Sequence, residues 1–193
     1  MVKKALQEYA EHKTGLLATP SLINAAFVPY TAVLPAEDRR REAAQIDSML
    51  SSAEAGNLQP GLAEQYKLIR EGLLSEDETA MQLCLLVAGI PERKHYTGIG
   101  DRPNPGNYIT VICCLQHPFS RGDVHIKSSD PTVYPAANPR YLSHPLDVRI
   151  FAKHLLQIPK IFTTDPLASR LKDHGMALRP GCPVLTEENI EAS

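Results

Sequence analysis

Two apolar runs constrain this chain more than anything else in it. Residues 81–90 (MQLCLLVAGI) and 108–115 (YITVICCL) are apolar at nearly every position, and the second is also β-branched. Both are predicted strands. A strand that is apolar on both faces needs cover on both sides. Helices of the same chain supply one cover, which leaves the second face to be accounted for. A third run, 123–128 (DVHIKS), alternates strictly, with Val124 and Ile126 on one face and Asp123, His125 and Lys127 on the other.

The rest of the chain is mostly helical or extended. Residues 2–13 place Ala5, Leu6, Tyr9 and Ala10 on one helical face, and Gly15 ends the pattern. Residues 25–34 are apolar and β-rich, but Pro29 marks an edge strand or an extended loop. Residues 36–52 predict a helix through Ala43, Ile46, Met49 and Leu50. Its mixed-sign stretch from Glu37 to Glu42 reads as a solvated face. Residues 60–74 repeat the helical spacing through Leu62, Tyr66, Ile69 and Leu73. Residues 91–107 form a long loop rich in Pro and Gly. Residues 129–145 hold four prolines and are expected to be extended. Residues 146–162 predict a helix that Pro159 kinks or breaks. A short helix over 166–174 and a polar, Pro-rich tail over 176–193 complete the chain. Helices, then strands with short links, then helices describe an α+β fold with a mostly antiparallel sheet flanked by helices. At 193 residues, one domain over 1–193 is expected.

Composition excludes several functions. Twenty Lys and Arg against 22 Asp and Glu leave a formal charge of −2, which attracts neither nucleic acid nor an anionic membrane. Four cysteines, two of them adjacent at Cys113 and Cys114, make no disulfide framework and no zinc spacing. They read as buried free thiols, and with a charged N-terminus they point to the cytoplasm. Gly98-Ile99-Gly100 opens like a dinucleotide fingerprint. Pro103 stands where its third glycine belongs, and no buried strand precedes it. No metal site is expected.

The candidate chemistry is a small polar set. Asp123, His125 and Lys127 share a strand face, and such a cluster does acid–base work in a dry pocket. On a solvated face it is inert, which is the plainer reading of the strand alone. His95 and Tyr96 on the long loop join them as candidates, with Tyr108, Cys114 and Gln116 from the neighbouring strand as candidate substrate contacts.

The most distinctive stretch is 117–147, HPFSRGDVHIKSSDPTVYPAANPRYLSHPLD. It resembles the substrate-binding segment of the glucose–methanol–choline (GMC) oxidoreductases, especially fungal ones. The positions that carry the resemblance are His117, Pro118, Ser120, Arg121, Gly122, Val124, Ile126, Ser128, Asp130, Pro131, Pro135, Pro139, Tyr141, Leu142, Ser143 and Asp147. Ala5, Glu8, Tyr9, Thr14, Gly15 and Leu16 resemble the helix that introduces the family's substrate domain. The local physics agrees. Ser120-Arg121-Gly122 reads as a tight turn into the alternating strand, and Asp130-Pro131 ends that strand. Asp147 suits a helix start or pairs with Arg121. Ser120, Gly122, Pro131 and Asp147 are expected to shape the fold and not to do chemistry.

The resemblance implies a substrate-binding domain. It does not bring with it the family's FAD-binding segment or catalytic histidine, for which no position of this sequence matches. The layout leads to the expectation of a stand-alone unit with no cofactor. That unit binds a small apolar natural product and catalyses a non-redox cyclisation or isomerisation in fungal secondary metabolism. The first alternative is a fragment or subunit of an FAD-dependent alcohol oxidoreductase, and the second is a non-catalytic metabolite carrier. Either a second copy of the chain or the apolar ligand is expected to cover the free sheet face.

Overall fold

The computed structural model describes residues 2–18, 22–54, 58–86, 108–177 and 186. The chain divides into two compact units, residues 1–26 with 82–113, and residues 27–81 with 114–193. The fold class is α+β, as expected. Among the described residues, no helix is long and apolar enough to cross a membrane.

The first unit holds α1 (Val2–His12) and most of a three-stranded sheet. The sheet order is β1 (Leu22–Val28), β2 (Met81–Leu86), β3 (Thr110–Leu115), so β1 lies on an edge, where the strand can stop before Pro29 without losing a ladder bond. The Asn24 side chain on β1 accepts from the Leu85 N–H of β2 at 3.1 Å. Gly15 follows α1 at φ +84°, a left-handed conformation that favours glycine. Met81 and Cys84 are buried, and the other side chains of β2 and β3 are half-buried except Cys114, which is exposed. Among their described residues, the two strands that needed cover therefore expose no large apolar side chain.

The second unit carries the main core. Helices α2 (Arg39–Glu54), α3 (Leu62–Leu73) and α4 (Pro145–Leu155) enclose Tyr30, Ile46, Leu50, Tyr66, Phe119, Leu146 and Ile150. The apolar residues of each helix recur every three or four positions, which puts them on one buried stripe. A separate two-stranded ribbon pairs β4 (Asp123–His125) with β5 (Ala136–Asn138) antiparallel, with Val124 opposite Ala137. A short α5 (Ile158–Phe162) follows.

Several expectations are corrected. The alternating strand closes at His125, and part of the proline-rich stretch after it is its partner β5, since the Ala136–Asn138 tripeptide is free of proline. The helix over 146–162 is broken in two, as expected, but the break falls just before Pro159, which lies in the first turn of the second helix, where its missing N–H costs nothing. The helix expected over 166–174 is instead two 3₁₀ turns, Ala168–Arg170 and Lys172–Gly175. The cysteines are not uniformly buried, as Cys114 shows. Glu42, read as part of a solvated face, is only 4% exposed. The loop 91–107, strand positions 87–90 and, apart from Thr186, residues 178–193 of the tail lie outside the described residues.

Candidate functional site

The segment 117–147 is built from an anchored base and an exposed ribbon. At the base, the fully buried Asp147 carboxylate accepts from the N–H groups of Phe119 at 2.7 Å and Ser120 at 2.8 Å. Asp147 thus ties the turn to α4 and makes no pair with Arg121. Arg121 instead donates to the carbonyls of Pro118 at 2.6 Å and Ser120 at 2.9 Å, and to Gln65 at 3.2 Å. The Ser120 hydroxyl accepts from the His144 N–H at 2.9 Å. The His144 ring caps α4 by accepting from the Leu146 N–H at 3.2 Å. That ring packs against Phe119 and Tyr66 at centroid distances of 5.2 and 5.4 Å. Burial holds His144 below the usual histidine pKa, against the opposing pull of Asp147. A Cβ on Gly122 would stand 2.5 Å from the Asn138 carbonyl oxygen, so only glycine lets the strand start this close to its partner. Ser120, Gly122 and Asp147 are structural, as expected.

A second polar cluster ties α2 to α4. Arg149 grips both carboxylate oxygens of Glu42 at 2.6 and 2.7 Å, and also donates to Gln45 at 2.9 Å. The buried Tyr30 hydroxyl donates to Glu42 at 2.6 Å. Burial alone would raise the Glu42 pKa, but the Arg149 and Tyr30 hydrogen bonds outweigh it and hold the carboxyl below its usual value. Burial and the neighbouring Glu42 push the Tyr30 phenol up. His154, also buried, lies 5.7 Å from the Tyr30 ring centroid with Nδ1 2.8 Å from the Ile150 carbonyl. Burial lowers its pKa, against the pull of the Ile150, Val28 and Pro29 carbonyls. The signal for this cluster was present in the spacing. Glu42 lies one turn before Ile46 and two before Leu50, while Arg149 neighbours Ile150.

The candidate residues lie elsewhere. His125 Nε2 is 3.7 Å from Asp123 Oδ1 on the ribbon, with both side chains substantially in water. Lys127 is exposed beyond the end of β4. Gln116 follows β3 and donates to the Cys114 carbonyl at 3.3 Å, while the Cys114 residue itself is exposed. Tyr108 is half-buried just before β3. His95 and Tyr96 lie outside the described residues. The polar set that the structure brings together is thus Asp123 with His125, on an open ribbon. Among the described residues no three His, Cys, Asp or Glu side chains gather as a metal set.

Comparison with known proteins places this architecture. Residues 118–191 match the family model described as GMC oxidoreductase. Over that segment the chain is similar to the GMC oxidoreductases. A dehydrogenase of Armillaria gallica is 29% identical over 142 residues, which cover 73% of this chain and 20% of that protein. A patulin synthase of Aspergillus clavatus is 35% identical over 94 residues, 48% of this chain and 15% of that protein. The solved structure of an FAD-dependent oxidoreductase from Chaetomium thermophilum shares the fold at TM-score 0.61 and 18% identity, over 86% of this chain and 26% of that one. The matched part of this chain therefore spans about a fifth of the length of the Armillaria relative. The family implies FAD, whose pyrophosphate needs a strand, a glycine-rich turn and a helix N-terminus in succession. Among the described residues Gly61 stands at a helix start, but Pro60 precedes it and the element before is α2, not a strand. The described residues do not fit that part of the cofactor.

Proposed function

We propose that this chain supplies the substrate side of an FAD-dependent alcohol oxidoreductase acting on a small natural product. The observation that carries this reading is the GMC oxidoreductase match over 118–191, in a fold shared with an FAD-dependent oxidoreductase. The relatives named dehydrogenase and patulin synthase support redox chemistry on a small fungal metabolite. Flavin, held by residues other than those described, would supply the redox chemistry. This chain's part is to bind and orient the alcohol. Asp123, His125 and Lys127 are its candidate polar contacts, and they act only once the ribbon is covered, because in open water their charges are screened.

The relatives named above do not bear on the redox-free cyclisation expected from the sequence, and Asp123, His125 and Lys127 lie largely in solvent. The two readings part in one experiment. The protein isolated natively from its host is mixed anaerobically with primary aryl and allylic alcohols while the visible flavin band is followed. Bleaching of that band by an alcohol is the expected result. A colourless preparation that ignores alcohols, yet shifts the product distribution of a cyclising intermediate, would overturn the oxidoreductase reading in favour of the cyclase.

A further inference from the structure

His144 is held in place by a bond that a proton breaks. Pro145 opens α4 and has no N–H to offer, so the Leu146 N–H is the first orphan donor of the helix. The His144 ring accepts from it through Nδ1 at 3.2 Å. An acceptor nitrogen carries no proton, so the neutral ring keeps its one proton on Nε2. That second nitrogen is buried and meets no hydrogen-bond partner among the described residues. The surroundings fix the ring in this pose. Phe119 and Tyr66 lie against it, the residue is only 9% exposed, and the Ser120 hydroxyl holds its backbone N–H at 2.9 Å. A second proton therefore goes onto Nδ1, where it meets the Leu146 N–H donor to donor. It also sets a positive charge at the positive end of α4.

We propose that His144 is a proton-operated latch: protonation of Nδ1 removes the cap, unwinds the first turn of α4 and frees the base of the 117–147 segment with the ribbon it carries. The bonds at that base link these events. Asp147 lies in the same first turn and holds the Phe119 and Ser120 N–H groups, while the Ser120 hydroxyl holds the His144 N–H. A shift of residues 144–147 thus loosens 119–122. Further along α4, Arg149 stays tied to Glu42 on α2, which confines the opening. The charged and titratable groups around the ring leave this response in place. Asp147 attracts the cation, but both its oxygens are committed to backbone N–H groups. Tyr66 on α3 faces the ring with a phenol that burial keeps protonated. Arg121 and Arg140 act on that phenol from the turns before and after the ribbon, and their positive charge opposes a further cation. The inference rests on this geometry and not on the function proposed above. Its consequence for that function is that acid disorders the ribbon carrying Asp123 and His125.

The test follows native-state hydrogen exchange of the full chain from about pH 7.5 to about pH 5, corrected for the intrinsic pH dependence of exchange. Burial keeps the folded ring below the ordinary 6.5, whereas the opened form holds an ordinary histidine. The opened form therefore gains about ten-fold for each pH unit below that value, until the folded ring itself protonates. The expected result is that protection of the Phe119, Ser120 and Leu146 amides and of β4 and β5 falls about ten-fold or more beyond that of α2 and α3. His144→Asn, whose side chain caps without titrating, should abolish this local loss, and His154→Gln should leave it unchanged. No loss, an equal loss throughout the core, a loss that persists in His144→Asn, or one abolished by His154→Gln overturns the latch. Where circular dichroism shows that His144→Asn does not fold, the ring nitrogens of wild-type His144, followed by NMR over the same range, decide it. Nδ1 titrating in step with the loss of protection at 119–125 sustains the proposal. An Nδ1 already protonated at neutral pH, or one that titrates without loss of protection, overturns it.

Discussion

The α2–α4 clasp and the β4–β5 ribbon both carry charged residues, and they use them in opposite ways. In the clasp, Tyr30 and Glu42 are buried, Arg149 is half-buried, and the three are joined by bonds of 2.6 to 2.7 Å. On the ribbon, Asp123 and His125 stand 3.7 Å apart in solvent, where such a pair contributes little. The residues that look catalytic by type lie in water, and those that look like surface charge hold the core together. In this unit, then, burial and not residue identity decides what a charged group does.

That contrast breaks most readily at Arg149. Arg149→Met leaves the Glu42 carboxylate buried without its partner and is expected to cost about 3 to 5 kcal/mol in urea unfolding. Glu42→Leu combined with Arg149→Met should recover most of that loss, because no charge is then left unpaired. Asp147→Ala orphans the N–H groups of Phe119 and Ser120 and is expected to cost about 2 to 4 kcal/mol by the same measurement. Asp147→Asn, which keeps one acceptor, should cost less. Gly122→Ala drives a Cβ into the Asn138 carbonyl and is expected to cost about 1 to 3 kcal/mol, with loss of amide protection confined to 122–138.

The buried histidines sharpen the comparison through pH. His144 and His154 have folded pKa values below the usual 6.5, so the unfolded chain binds their protons more readily than the native one. Their contribution is complete above pH 6.5 and is lost as the pH falls through their folded values. Glu42 is likewise depressed and adds a second loss as the pH falls below 4.5. Chemical denaturation across this range should show stability falling in two stages on the acid side, and His154→Gln should flatten the upper one. At the small end, His125→Ala on the open ribbon should change stability by no more than about 0.5 kcal/mol.

Much of the fold was legible because long apolar periods are strong signals. The helices α2 and α3 follow from Ile46, Leu50, Tyr66 and Leu73 at helical spacing, and β1 ends at Val28, just before Pro29. The ribbon was half legible. Its first strand shows alternation, but β5 is three small residues among prolines, and only the pairing with 123–125 makes it a strand. The clasp was missed because a run of mixed charge outweighed the position of Glu42 on the inner face. The His144 cap was missed because a histidine ring is an uncommon acceptor at a helix start. The GMC resemblance, by contrast, lies in a long fixed pattern and needed no structure to be read.

The measurement that bears most directly on the oxidoreductase reading is the native mass of the protein isolated from its host, taken with its visible spectrum. A flavin-containing species heavier than the chain's own 21.2 kDa, with a flavin-bearing polypeptide accounting for the difference, is the expected result. A stable, colourless species at the mass of one or two copies of the chain would contradict it.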